Sequence, residues 1–143
     1  MKFEKSCGAV VFTKIDNKIK YLIIKSIEGI YGFPKGHMEL DEVEEETALR
    51  EILEETGIIV KLINGFRYKV NYEIKDKNIY KEVIYFLGEY SNQEIVYQKE
   101  ELSDAELMDF STAFSVLQYD DSKAVLKAAN DYLKTYKNML KLI

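Results

Sequence analysis

Glu51, Glu54 and Glu55 are three carboxylates close together in the chain. At 3.6 residues per turn, a helix would gather them within one arc of about 100°. Ala48, Leu49, Ile52 and Leu53 fall in the neighbouring arc and are expected to face a core. Two carboxylates about 4 Å apart repel by about 4 kcal/mol at an effective dielectric of 20, so such a cluster calls for a counter-charge. A hard divalent cation suits it, because Mg²⁺ prefers carboxylate and water oxygens. Just upstream, Gly36 has no side chain to hinder approach to its backbone carbonyl. A cation held there would bridge to an anionic ligand. Taken alone, an E-x-x-E-E stripe fits a solvated helix edge better than a metal site.

The elements that must position these groups can be read from the pattern. Residues 42–56 are predicted to form a helix, with acids in the first turn and Gly57 as its C-terminal cap. The apolar runs 8–12 and 20–24 flank Asp16 and Asn17 and read as paired strands. Residues 30–36 form a loop punctuated by glycine and proline, with a short strand at its start. Two long strands are expected over 58–73 and 79–90, joined by a polar turn near 76–78, and a short one around 106–110. A short helix is expected over 111–117 with Ser111 as its cap, and a last helix over 122–140, apolar at 125, 126, 129, 132, 133 and 136. This order predicts one α/β domain over residues 1–143, with a mixed sheet between helices.

Composition narrows the function. Apolar residues make up 47% and charged residues 31%, which excludes disorder, and no run approaches the length of a membrane span. A net charge of −5 argues against bulk binding to nucleic acid or to anionic lipid. Cys7 is the only cysteine, so neither a disulfide nor a thiolate metal cluster is available within the chain, and a reducing cytoplasm is expected. The charge is also unevenly spread. Residues 39–55 hold nine acids against Arg50, and residues 61–81 hold six bases against Glu73 and Asp76. A cation bridging to an anionic ligand would suit this pattern, as would two solvated faces.

Gly36 to Ile58 agrees at every fixed position with the Nudix box, G-x5-E-x7-R-E-U-x-E-E-x-G-U, where U is aliphatic. The chain is thus identified as resembling the Nudix hydrolases. The resemblance implies the Nudix fold, a mixed sheet sandwiched between helices, and Mg²⁺ or Mn²⁺ as cofactor. It implies that Glu51, Glu54 and Glu55 bind the metal with help from the Gly36 carbonyl. Arg50 would orient a box glutamate and Glu42 would hold the loop–helix geometry. A later glutamate often completes such sites as ligand or base; Glu101 is the best match, with Glu100 next.

Beyond the box, residues 33–39, 65–72, 81–86 and 117–120, with Lys123 and Leu126, resemble the asymmetrical diadenosine tetraphosphate hydrolases. In that branch two aromatics sandwich an adenine, and the corresponding positions are Tyr72 and Tyr119, although Tyr72 follows the box more closely than the branch's tyrosine. Lys81 would contact phosphate, and Lys35 and His37 flank Gly36 where the polyphosphate would lie. Each has a plainer reading: Tyr72 as a strand aromatic, Tyr119 as a packing residue at a helix start, His37 as a solvated loop residue and Lys81 as an ordinary strand lysine. The implied reaction is hydrolysis of diadenosine tetraphosphate to ATP and AMP by a monomer or weak dimer. The alternatives are a nucleoside triphosphate pyrophosphatase of the same family and, further off, a non-catalytic nucleotide-binding module. Removal of pyrophosphate from RNA 5′ ends is less favoured, since the chain is acidic.

Overall fold

A computed structural model describes residues 1–141. Long strands β1 (Lys2–Ile15) and β2 (Lys18–Ser26) form an antiparallel hairpin. Asp16 and Asn17 both take positive φ at its turn, 52° and 67°, and Asp and Asn tolerate that region better than other non-glycine residues. Strands β3 (Tyr31–Gly32) and β4 (Lys35–His37) follow, and then helix α1 (Glu44–Thr56). After α1 come β5 (Lys61–Leu62), β6 (Tyr68–Ile74), β7 (Ile79–Glu89), β8 (Leu102–Met108), α2 (Phe110–Val116) and α3 (Asp120–Lys141).

The strands make one mixed sheet with β1 beside β7 at its centre, and that pair is parallel. Both central strands are covered on both faces, so they read as continuous apolar runs rather than alternating ones. Cys7, Ala9 and Val11 of β1 and Ile84 and Phe86 of β7 pack with Ala48 and Ile52 of α1. The opposite faces, Val10, Phe12, Val83, Tyr85 and Leu87, pack with Val125, Leu126, Ala129 and Leu133 of α3. The expected sandwich of a mixed sheet between helices is thus the architecture found.

Four expectations need correction. The segment 58–73 is not one strand. Gly65, at φ 92°, turns the chain between β5 and β6, and the Tyr132 hydroxyl of α3 donates to the Asn64 carbonyl there. The strand expected at 106–110 begins earlier, at Leu102, because β8 pairs with the whole end of β2. The cap of α2 is Asp109, not Ser111, with its carboxylate accepting the Thr112 N–H at 2.9 Å. Finally, Leu49 and Leu53 of α1 are exposed. The face of α1 turned to the sheet is Thr47, Ala48, Ile52, Glu55 and Thr56, so Ala48 and Ile52 are buried as expected and Glu55 is buried with them.

Candidate active site

Helix α1 ends at Gly57, whose φ of 74° lets its N–H close on the Leu53 carbonyl at 2.9 Å. At the other end the Val43 side chain offers no acceptor, and the Glu46 carboxylate takes the Val43 N–H at 2.9 Å. Glu44 is gripped by Lys5 of β1 at 2.6 Å and by two parallel contacts from Arg67 at 2.8 Å. These ties fix the register of α1 against the sheet. The three glutamates of its last two turns then fall at graded depths: Glu55 is 5% exposed, Glu51 half-buried and Glu54 in solvent.

Arg50 is the hub of the acidic cluster. It binds Glu42 through both carboxylate oxygens, at 2.6 and 3.0 Å, and Glu51 at 2.8 Å. It reaches Glu54 at 3.4 Å and the His37 carbonyl at 2.9 Å. Glu42 also accepts the Glu39 N–H and the Thr47 hydroxyl, both at 2.9 Å, and these contacts join the loop to the helix. With Arg50 as the first cause, Glu42 is held down to a pKa of about 2.

Strand β4 pairs with β1 so that Gly36 stands opposite Cys7. A Cβ on Gly36 would come within 3.0 Å of the Glu51 carboxyl group, so any other residue would displace that carboxylate from its present place. The Lys35 N–H donates to Glu55 at 3.2 Å. Burial, and next the charge of Glu51, push Glu55 up to a pKa of about 8. Burial also raises Glu51, although Arg50 opposes the shift. Lys35 is lowered by burial first and by the nearby charge of Lys81 second.

A cavity of about 830 Å³ opens beside this cluster. Its wall includes Lys35, Glu55, Glu100, Glu101, Tyr72 and Tyr119. The end of α1, the start of β8, β6 and the chain ahead of α3 thus meet around one space. Lys81 and His37 are not in the wall. Lys81 stands opposite Tyr72 in the β6–β7 pairing, and His37 is exposed at the end of β4. Sequence reasoning did not single out Tyr85, Tyr31, Glu28 or Asp121, which also line the cavity. Tyr85 could have been found, since strand alternation from Lys81 through Val83 leads to it. Its ring packs edge-on against Phe33, with centroids 5.5 Å apart.

The profile of the NUDIX domain matches residues 5–129 of this chain. The chain belongs to the Nudix hydrolase family. This Nudix chain is 32% identical over 141 residues to the bis(5'-nucleosyl)-tetraphosphatase [asymmetrical] of Rattus norvegicus and 34% identical to that of Sus scrofa. Each alignment covers 90% of this chain and 95% of the relative. A crystal structure of a C. elegans Ap4A hydrolase binary complex superposes with a TM-score of 0.84 at 24% identity, covering 92% of this chain and 98% of that one.

Nudix hydrolases use divalent cations, and the donors here suit one. Glu51, Glu54, Glu55 and Glu101 offer hard oxygens, and the bare Cα of Gly36 lets the Glu51 carboxyl group lie close against its backbone. Among the described residues no three acidic side chains already converge as a closed shell. Arg50 holds Glu51, and Glu54 extends into solvent. Among the described residues no helix is long and apolar enough to cross a membrane.

Proposed function

We propose that this Nudix hydrolase cleaves diadenosine tetraphosphate to ATP and AMP, with residues 1–143 acting as one catalytic domain. The observation that supports this most is the shared wall: Glu55 and Glu101 line the same cavity as Tyr72 and Tyr119. Carboxylates for a cation and two aromatics for a base therefore lie within reach of one extended ligand. Kinship with the tetraphosphatases of rat and pig over nearly the whole chain supports the same substrate.

Glu51, Glu54 and Glu55 would hold Mg²⁺ or Mn²⁺ with the Gly36 carbonyl, and Glu101 would complete the set from the start of β8. The bound cation would lower the pKa of water and offset charge on the departing phosphate. Arg50 keeps Glu51 oriented and spreads the repulsion among Glu42, Glu51 and Glu54. Glu54, in solvent beside Arg50, would take the proton of the attacking water, with Glu101 as the second candidate for that role. Water adds to the phosphorus next to one adenosine, the bond to the bridging oxygen breaks, and ATP leaves with that oxygen. Lys35 and Lys81 would neutralise the remaining phosphates, with His37 at the outer edge of the same path. Tyr72 and Tyr119 would stack on the second adenine, since every base offers a π-face to such a pair. A chain whose single cysteine is buried suits the reducing cytoplasm, and we infer a monomer or weak dimer.

A panel of substrates with Mg²⁺ tests this reading. Diadenosine tetraphosphate should give a kcat/KM well above those of ATP, dGTP and oxidised dGTP. The reverse order would replace it with a single-nucleotide pyrophosphatase, and no turnover of any of them would favour a binding module.

A further inference from the structure

Gln118 is exposed on the chain just ahead of Tyr119, yet both the oxygen and the nitrogen of its amide bond a distant segment. Its Oε1 accepts the Tyr31 N–H at 3.0 Å, and its Nε2 donates to the Gly29 carbonyl at 2.9 Å. Gly29 turns the chain with a φ of 91°. The other side of this segment is tied to the start of β8. There the Ile27 N–H donates to the Glu101 carbonyl at 3.1 Å and the Ser103 hydroxyl to the Ser26 carbonyl at 3.1 Å. Residues 26–31 thus bridge the carboxylate end of the cavity and its aromatic end, and Ser26, Ile27, Glu28, Ile30 and Tyr31 line the wall between. Tyr119 is 57% exposed and has little packing of its own to hold it.

We propose that Gln118 is a positioning residue whose amide straps segment 26–31 to the backbone ahead of Tyr119, fixing the aromatic end of the cavity for a nucleobase. The proposal rests on reading the cavity as a nucleotide site. Without the strap, both the segment and Tyr119 must be ordered when ligand binds, and that entropy is lost from affinity. The strap lies at the far end from the acidic cluster, so ground state and transition state lose equally: KM rises and kcat stays.

Gln93 supplies a matched control. Its amide makes the same two contacts with the Ile59 backbone, both at 2.8 Å, away from the cavity wall. In Gln118→Ala the Tyr31 amide should exchange with solvent at least about tenfold faster by NMR, because its partner is gone. KM for diadenosine tetraphosphate should rise about 3- to 30-fold with kcat within about twofold, as for the loss of one or two hydrogen bonds. Gln93→Ala should lower the melting temperature without moving KM. Unchanged Tyr31 exchange in Gln118→Ala, or an equal rise in KM in both variants, would overturn the proposal. If the wild type itself fails to turn over diadenosine tetraphosphate, the substrate reading falls. The Kd ratio for ATP then decides the strap in place of KM: a rise in Gln118→Ala alone upholds it, and none refutes it.

Discussion

Glu55 sits on the sheet-facing side of α1, where a residue of its helical position is ordinarily apolar, and its carboxylate meets the backbone of Lys35 and the charge of Glu51. Its pKa of about 8 lies above the ordinary carboxylate value of 4.5, so the folded protein binds this proton more tightly than the unfolded chain. Without a cation, stability is therefore greatest below about pH 4.5 with respect to this group and falls as pH rises toward about 8. Glu55→Gln should remove that loss. The metal-free variant should melt at a higher temperature than the wild type at pH 8, read by calorimetry in EDTA. Its kcat with saturating Mg²⁺ should fall by a factor of about 10² or more, and Glu54→Gln should do the same, since a neutral amide is a poor ligand and no base. Activity within about tenfold of wild type in either variant would remove these residues from the site.

At the scale of elements, α1 matters because its register sets which glutamates face the cavity. Lys5 and Arg67 hold its first residue, Glu44, whose pKa they keep down at about 2 with the Arg67 bond as the first cause. A depressed carboxylate stabilises the fold above its unfolded value, and the stabilisation is lost as pH falls from about 4.5 through about 2. Glu44→Gln should be less stable than the wild type at pH 7 and nearly equal to it at pH 2, by chemical denaturation at each pH. An equal deficit at both pH values would show that the clamp acts through packing rather than charge. The helix itself was legible in the sequence, because Gly57 and the acidic first turn are local signals. Its buried face was legible only in part, at Ala48 and Ile52. Leu49 and Leu53 look like core residues until the sheet is present, and only then does the contact line run through Thr47, Ile52 and Glu55. The break in the segment 58–73 was hidden for the same reason: Gly65 signals a turn, but Tyr132 of α3 engages it from 67 residues further along the chain.

Across the whole molecule, the sequence carried the box and the mixed sheet, because spacing and family resemblance extend that far; Tyr72 and Tyr119, singled out by the same resemblance, line one cavity. The sequence did not carry the segment 26–31, whose place in the wall depends on Glu101 and Gln118 from distant parts of the chain. The two tyrosines, both partly exposed in one wall, should act on binding rather than folding. Tyr72→Leu and Tyr119→Leu should each raise KM for diadenosine tetraphosphate about 5- to 150-fold with kcat nearly constant, as expected for loss of one stacking platform. Lowered melting temperatures with unchanged KM would make them structural aromatics instead. The central claim is the site of attack, and hydrolysis of diadenosine tetraphosphate in ¹⁸O-water with Mg²⁺ tests it most directly. ATP and AMP should appear in equal amounts with the label in AMP; two molecules of ADP, or label in ATP, would contradict it.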